Sequence, residues 1–389
     1  MNFLKKKQRK IRVVYIVQYK AGYYKVKDII KTMVDDPSVE IKVLAFSSDI
    51  NNYSIEDYKY WKEKLGDCVI NARVGNDWFD LEKYNPDYVF FQRPYNIYLP
   101  KCYNSKIISS YARTCYMNYG YNLSKHTNNV AFNNEFFSDL DIFFAENEYE
   151  KDCVANQVFE GDKRKIVVNY GYPYLDELKK QIKNNKSMFG RGYYNILWTP
   201  RWTTDNEICG TSFFEYKENL LSFVKKYNDV QFVFRPHPMM FDNFIIKKQM
   251  SSKEVKNYLK IYDGLKYVYD NSSEYQDTFR DSDILVTDYS SIIIEYLLYN
   301  KPIILCKRND KSANCILEKI YKVCYLVNNF EELANQILKL KMGNDILKSE
   351  REKLIKELFD EYDGQVKYKI VNFIKNDYSK SKSRGKKND

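Results

Sequence analysis

The chain has 389 residues, of which 44% are hydrophobic and 29% charged, and its 62 basic against 52 acidic side chains leave a net charge of +10. A chain of this length has room for two domains of ordinary size, and its composition excludes a disordered or fibrous protein. No uninterrupted apolar run approaches the ~18 residues of a membrane helix, and Met1 to Lys10 is basic without an apolar leader, so a cytoplasmic protein is expected.

The cysteines at 68, 102, 115, 153, 209, 306, 315 and 324 form no C-x-x-C pair, and the histidines are His126 and His237 alone. Neither a zinc site nor a disulfide framework is expected from that usage, and buried free thiols are. No cofactor or metal is called for. Much of the excess charge lies in Lys5 to Lys10 and Lys380 to Lys387. The basic ends, residues 1–10 and 376–389, are expected to be disordered and suited to peripheral contact with an anionic membrane. They match no nucleic-acid module, so no nucleic-acid partner is expected.

In chain order, Ile11 to Val17 is a β-branched run fit for a buried parallel strand, with Gly22 in the loop after it and a helix from Tyr23 to Met33. No G-x-G-x-x-G follows, so a dinucleotide fingerprint is absent. Val39 to Phe46, Asp87 to Phe91, Lys106 to Ser109, Asp141 to Ala145 and Arg164 to Val168 continue the strands. The alternation predicts an α/β domain over residues 11–185. A polar interval from Leu178 to Arg191 reads as the linker to a second domain, residues 186–375. There the predicted strands are Asn195 to Thr199, Val230 to Phe234, Lys266 to Tyr269, Ile284 to Thr287 and Ile303 to Cys306. Helices are predicted over Phe213 to Tyr227, Glu274 to Arg280, Ile292 to Leu298, Phe330 to Leu340 and Ile346 to Phe359, with Val366 to Ile374 closing the fold.

Three strand ends of the second half carry the chemistry. Thr199 is followed by Pro200-Arg201-Trp202, Phe234 by Arg235-Pro236-His237-Pro238, and Thr287 by Asp288-Tyr289-Ser290-Ser291. In a parallel sheet these loops leave at one edge, where open α/β sheets bind ligands. Arg201, Arg235, His237, Asp288, Ser290 and Ser291 would then outline a diphosphate site, with the serines at a helix start. His237 could donate a hydrogen bond or pass a proton to a leaving phosphate. Glu295, one turn into that helix, is a candidate for the ribose or nucleotide.

Arg235-Pro236-His237-Pro238, followed about fifty residues later by Ser282-Asp283 and Thr287 to Ser291, resembles the CDP-glycerol glycerophosphotransferases. Ile196 to Trp202 is similar to that family's strand-Pro-Thr-Trp-Arg loop, with the Thr and Arg order altered. The resemblance implies a GT-B-like α/β fold: two Rossmann-like domains facing a cleft, the first on the acceptor side and the second holding the nucleotide donor, with a helical C-terminus. It also implies a CDP-linked polyol donor, a glycan or lipid-linked acceptor, and synthesis of teichoic-acid-like or capsule polymers. The first half departs from the family pattern. Where the family carries a histidine taken as the acceptor base, Met117 to Lys125 presents Tyr119, and a phenol, ordinarily ionising near ~10, is a poor base. His126 lies further along and could substitute only in a differently folded loop. A glycosyltransferase using a nucleotide sugar, or a non-catalytic subunit of a surface-glycan assembly, are the alternative readings.

Overall fold

The structure is a computed structural model; it describes residues 9–46, 55–123, 125, 135–182, 192–206, 209–272, 274–306 and 313–385. The chain divides into two compact units, one from residues 1–122, 126–177 and 362–389 and the other from residues 123–125 and 178–361.

In the first unit, strands β1 (Ile11–Val17), β2 (Val39–Ala45) and β3 (Val69–Asn71) are followed by a short antiparallel ribbon of β4 (Arg73–Val74) and β5 (Asp77–Trp78). Strands β6 (Tyr88–Phe91), β7 (Arg113–Met117), β8 (Ile142–Ala145) and β9 (Ile166–Asn169) complete a parallel sheet in the order β3-β2-β1-β6-β7-β8-β9. The strands are apolar because the sheet is covered on both faces. Val13, Tyr15 and Val17 of β1 join Val26, Ile29, Ile30 and Met33 of helix Tyr23–Asp35 in one core. Val14 and Ile16, pointing the other way, enter a second core with Phe91, Tyr116 and Phe143. Chain order reverses between β1 and β6, which opens a crevice at their carboxyl ends.

The second unit repeats the plan. Strands β10 (Tyr194–Thr199), β11 (Val230–Phe234), β12 (Tyr267–Tyr269), β13 (Ile284–Thr287), β14 (Ile303–Cys306) and β15 (Tyr325–Val327) form a parallel sheet in the order β12-β11-β10-β13-β14-β15. Trp198 of β10 stacks on Phe213 of helix Phe213–Lys225 at 5.7 Å and on Phe232 of β11 at 5.9 Å. Here the reversal falls between β10 and β13, the strands that carry Arg201 and Asp288 on their following loops.

Four expectations are corrected. Lys106 to Ser109 is not a strand: Ser105–Ile108 is a helical turn, and the strand is β7. Buried Ser105 fixes that turn by donating to Asp139 (2.9 Å) while its hydroxyl and backbone N–H meet Asn96. The polar interval from Leu178 begins inside helix Pro173–Ile182 rather than in a linker. Residues 376–385 are not a disordered tail and do not follow a domain ending at 375. Helix Val366–Gly385 belongs to the first unit, where Val366, Ile370, Ile374 and Tyr378 lay one face into the core. The cysteines divide, with Cys115, Cys209, Cys306 and Cys324 buried and Cys102 and Cys315 exposed. Of the expected disordered start, residues 1–8 lie outside the described residues, and Arg9 is anchored to the carbonyl of Asn85 at 3.1 Å.

The final helix is held by charge as well as by its apolar stripe. Asp377 meets Arg113 at 2.6 Å and accepts from the Tyr88 hydroxyl at 2.6 Å; Lys375 pairs with Asp36 at 2.8 Å. Replacing Asp377 with Ala leaves a half-buried guanidinium and a buried phenol without their acceptor. We expect Asp377→Ala to lower unfolding free energy by about 2–3 kcal/mol in urea titration. An unchanged midpoint and slope would show that the helix is docked by its apolar face alone.

Candidate functional site

Asp288, at the end of β13, ties the loop after β10 to the start of helix Phe213–Lys225 from below. Its carboxylate is fully buried, and Oδ2 accepts from the backbone N–H of Arg201 (2.9 Å), the backbone N–H of Ser212 (3.0 Å) and the Thr211 hydroxyl (3.2 Å). It faces inward, onto donors of the protein itself. Asp288 is therefore an organiser of the site, in contrast to the phosphate-contacting place expected for it, since a carboxylate turned outward would repel a phosphate.

The two arginines differ. Arg235 pairs with Asp270 at 2.8 Å, donates to the Ser272 carbonyl at 2.8 Å and lies 4.3 Å over the Tyr275 ring. Tyr275 in turn donates to Glu295 at 2.7 Å, and Glu295 is buried in helix Ile292–Leu297. Glu295, Tyr275, Arg235 and Asp270 thus form one buried chain of contacts, in which both expected ligands, Arg235 and Glu295, are engaged by the protein. Arg201 instead donates to the Tyr289 carbonyl at 2.8 Å and lies 4.8 Å from the Tyr289 ring centre. Among the described residues its guanidinium forms no ion pair. That leaves a positive charge at the reversal point.

His237 stands beside it. Burial, then the charges of Arg201 and Arg235, hold its imidazole down to about 4, so the ring is neutral at pH 7. Nδ1 accepts from the backbone N–H of Met239 at 3.2 Å, which puts the proton on Nε2. The ring is a hydrogen-bond donor that carries no charge at pH 7. Trp202 lies near it, with ring centres 6.3 Å apart. Ser291 caps helix Ile292–Leu297 without a side-chain bond to the backbone, while the Ser290 hydroxyl accepts weakly from Ile292 N–H at 3.4 Å. Arg201, His237, Ser290 and Ser291 are the donors left to meet an anion.

The acceptor-side residues lie on the first unit or outside the described residues. Tyr119 follows β7, half-buried, with its hydroxyl 3.5 Å from that of Tyr95. His126 lies outside the described residues. The loop bearing Tyr119 is fixed by a feature that sequence reasoning missed, the buried pair Glu146 and Glu150. Asn118 donates to both carboxylates, and the backbone N–H of Asn122 donates to Glu146 at 2.6 Å. Both acids are buried, and the other Glu146 oxygen has no hydrogen bond. Burial, then the charge of Glu150, raises the Glu146 carboxyl well above the usual range; burial lifts Glu150 to about 7. A carboxyl raised on folding stabilises fully below its unfolded value, and that contribution is lost as pH rises through the folded value. Glu146→Gln imitates the protonated acid. Between pH 6.5 and 8.5 we expect Tm of the wild type to fall more steeply than that of Glu146→Gln; parallel profiles would contradict the assignment.

Comparison with known proteins gives these features a context. The profile of the family described as CDP-glycerol:poly(glycerophosphate) glycerophosphotransferase matches residues 78–376. The minor teichoic acid biosynthesis protein GgaB of Bacillus subtilis (strain 168) is 24% identical over 364 residues, covering 80% of this chain and 38% of that protein. The chain therefore spans well under half the length of that relative. A structure of the wall teichoic acid polymerase TagF superposes with a TM-score of 0.59 at 13% identity, over 95% of this chain and 89% of the other. UDP-GlcNAc 2-epimerase from Neisseria meningitidis, bound to UDP-GlcNAc, superposes with a TM-score of 0.61 at 16% identity, over 94% and 100%. At such identities the likeness is one of fold, two Rossmann-like sheets of GT-B type. The family profile covers the strand-end loops of the second unit and the first unit from residue 78 onward, and on it the chain belongs to the CDP-glycerol:poly(glycerophosphate) glycerophosphotransferase family.

Proposed function

We propose that this chain transfers glycerol phosphate, or a related polyol phosphate, from a CDP-linked donor to a glycan or lipid-linked acceptor in cell-surface polymer synthesis. The observation that carries this reading is the cluster at the β10/β13 reversal: the Arg201 guanidinium, with no ion pair among the described residues, a neutral Nε2–H on His237 and the Ser290-Ser291 turn. Positive charge and neutral donors together suit a pyrophosphate, which brings its own negative charge. The names of the relatives, a teichoic acid biosynthesis protein and a wall teichoic acid polymerase, point the same way.

In this reading the acceptor hydroxyl attacks the β-phosphorus of the donor. Its oxygen–phosphorus bond forms as the bond from phosphorus to the bridging oxygen breaks, CMP leaves with that electron pair, and the acceptor's hydroxyl proton passes to a phosphate oxygen of the departing CMP. Phosphoryl transfer depends chiefly on placement and on meeting developing charge. Arg201 would neutralise the diphosphate, and the His237 N–H would strengthen its hydrogen bond as charge grows on the leaving phosphate. Arg235 and Glu295 serve by holding the loop that presents His237. We place the reaction in the cytoplasm, with the basic chain ends contacting an anionic membrane face; among the described residues no helix is long and apolar enough to cross a membrane.

His237→Ala should reduce CMP release from CDP-glycerol in the presence of acceptor by roughly 10²–10³-fold. Its Tm should stay within a few degrees of the wild type. Release of a nucleoside diphosphate from a nucleotide sugar, with no CMP from CDP-glycerol, would instead favour a glycosyltransferase on this scaffold.

A further inference from the structure

The first unit has its own charged crevice, which the donor-side chemistry does not use. It lies where chain order reverses between β1 and β6, and it is formed by the loops that leave the carboxyl ends of those strands. Arg93 is two residues beyond β6. Its guanidinium lies 4.3 Å from the ring centre of Tyr98, 5.4 Å from that of Tyr95 and 5.9 Å from that of Tyr19. Among the described residues it has no ion pair or hydrogen bond. A half-buried cation walled by three aromatic faces, with no carboxylate to compensate it, is an incomplete arrangement.

The surroundings are built to hold that arrangement. Gln92 is 1% exposed, and its Oε1 accepts from the backbone N–H groups of both Gln18 (2.7 Å) and Tyr19 (2.8 Å), while its Nε2 donates to the Tyr19 carbonyl at 3.0 Å. Gln18 donates across to the Tyr98 carbonyl at 2.8 Å. One buried side-chain pair thus locks the two loops, and Tyr19 and Tyr98 with them, around Arg93. Gly22 is part of the fit: a Cβ there would stand 3.1 Å from Gln92 Nε2 and 3.2 Å from the Tyr19 ring. Tyr119 joins the same cluster through the Tyr95 hydroxyl.

We propose that this crevice binds a phosphodiester of the acceptor chain, with the Arg93 guanidinium on the phosphate and the tyrosine rings against the carbons of the flanking polyol. The inference rests on the transferase reading above and deepens it: the family is described by a poly(glycerophosphate) substrate, and the crevice gives such a phosphodiester a site on this chain. A guanidinium presents paired donors to two phosphate oxygens, and aromatic faces accept the C–H edge of a polyol while leaving its hydroxyls to solvent. A neutral glycan would leave the Arg93 charge unanswered.

Titration calorimetry of the full chain with glycerophosphoglycerol, sn-glycerol 3-phosphate and glycerol tests this, with CDP-glycerol titrated into the same preparations. The diester should bind and glycerol should not. Arg93→Ala should weaken the diester at least tenfold and Arg93→Lys by less, both binding CDP-glycerol within twofold of the wild type. Equal diester affinity in wild type and Arg93→Ala would overturn the assignment. So would a wild type that binds CDP-glycerol but no diester, or one that takes the monoester alone. Failure of the wild type to bind CDP-glycerol would sink the donor reading separately, and the loss of diester binding on Arg93→Ala would still decide the crevice.

Discussion

The buried carboxylate of Asp288 is the constraint on which the donor-side arrangement depends. One fully buried oxygen holds the loop after β10, the start of helix Phe213–Lys225 and the end of β13 at a fixed spacing. Because Asp288 accepts the backbone N–H of Arg201, the Arg201 side chain is free to lie over Tyr289 rather than to search for a carboxylate. The negative charge that anchors the loops sits beneath them. The positive charge above is left for a ligand.

A second device keeps the site from being merely basic. Arg235 is compensated by Asp270 and locked through Tyr275 to Glu295; burial first, and then the charges of Arg201 and Arg235, keep the His237 imidazole neutral. Two nearby cations would otherwise compete with a third for one diphosphate. The neutral ring contributes direction without added charge, and an arriving phosphate would favour its protonation. The first unit shows the same logic in other residues. Buried Gln92 joins the loops at the β1/β6 reversal much as Asp288 fixes its neighbours at β10/β13, and each leaves one arginine against aromatic side chains without a carboxylate among the described residues. In both sheets the reversal point is the place where such a loop pair can be brought together.

Much of this was legible in the sequence, and for a physical reason. Buried parallel strands are apolar throughout, so Ile11–Val17, Val230–Phe234, Ile284–Thr287 and Ile303–Cys306 were readable to the residue. Strand β7 was hidden by its polar start, Arg113-Thr114, whose side chains are bound by Asp377 and Asp141 across the fold. Lys106 to Ser109 misled because a lone Ile-Ile pair fits a strand or a helical turn equally. Val366 to Ile374 was legible as the closing segment, but the basic residues beyond it masked that one helix runs on to Gly385, with Tyr378 still on its buried face. At the site, strand-end position brought Arg201, His237, Ser290 and Ser291 into view. It could not separate ligands from organisers, because Asp288, Arg235 and Glu295 are assigned by partners that are remote in sequence. An acid at the end of the neighbouring strand, Asp270 after β12, was the available signal for Arg235. Glu146 and Glu150 gave a weaker one, an acid at the close of an apolar strand and another one turn on, in helix Glu148–Gln157.

On the proposed function, the second unit recognises a cytidine diphosphate-linked donor through the Ser290-Ser291 turn and its neighbours. Thermal-shift titration of the wild type and of Ser290→Ala/Ser291→Ala with CDP-glycerol, CMP and UDP-GlcNAc tests it most directly, since a ligand specific for the folded state raises the midpoint by mass action. CDP-glycerol should stabilise the wild type more than CMP does, with most of that difference lost in the double variant. Stabilisation by UDP-GlcNAc alone, or an undiminished CDP-glycerol shift in the double variant, would contradict it.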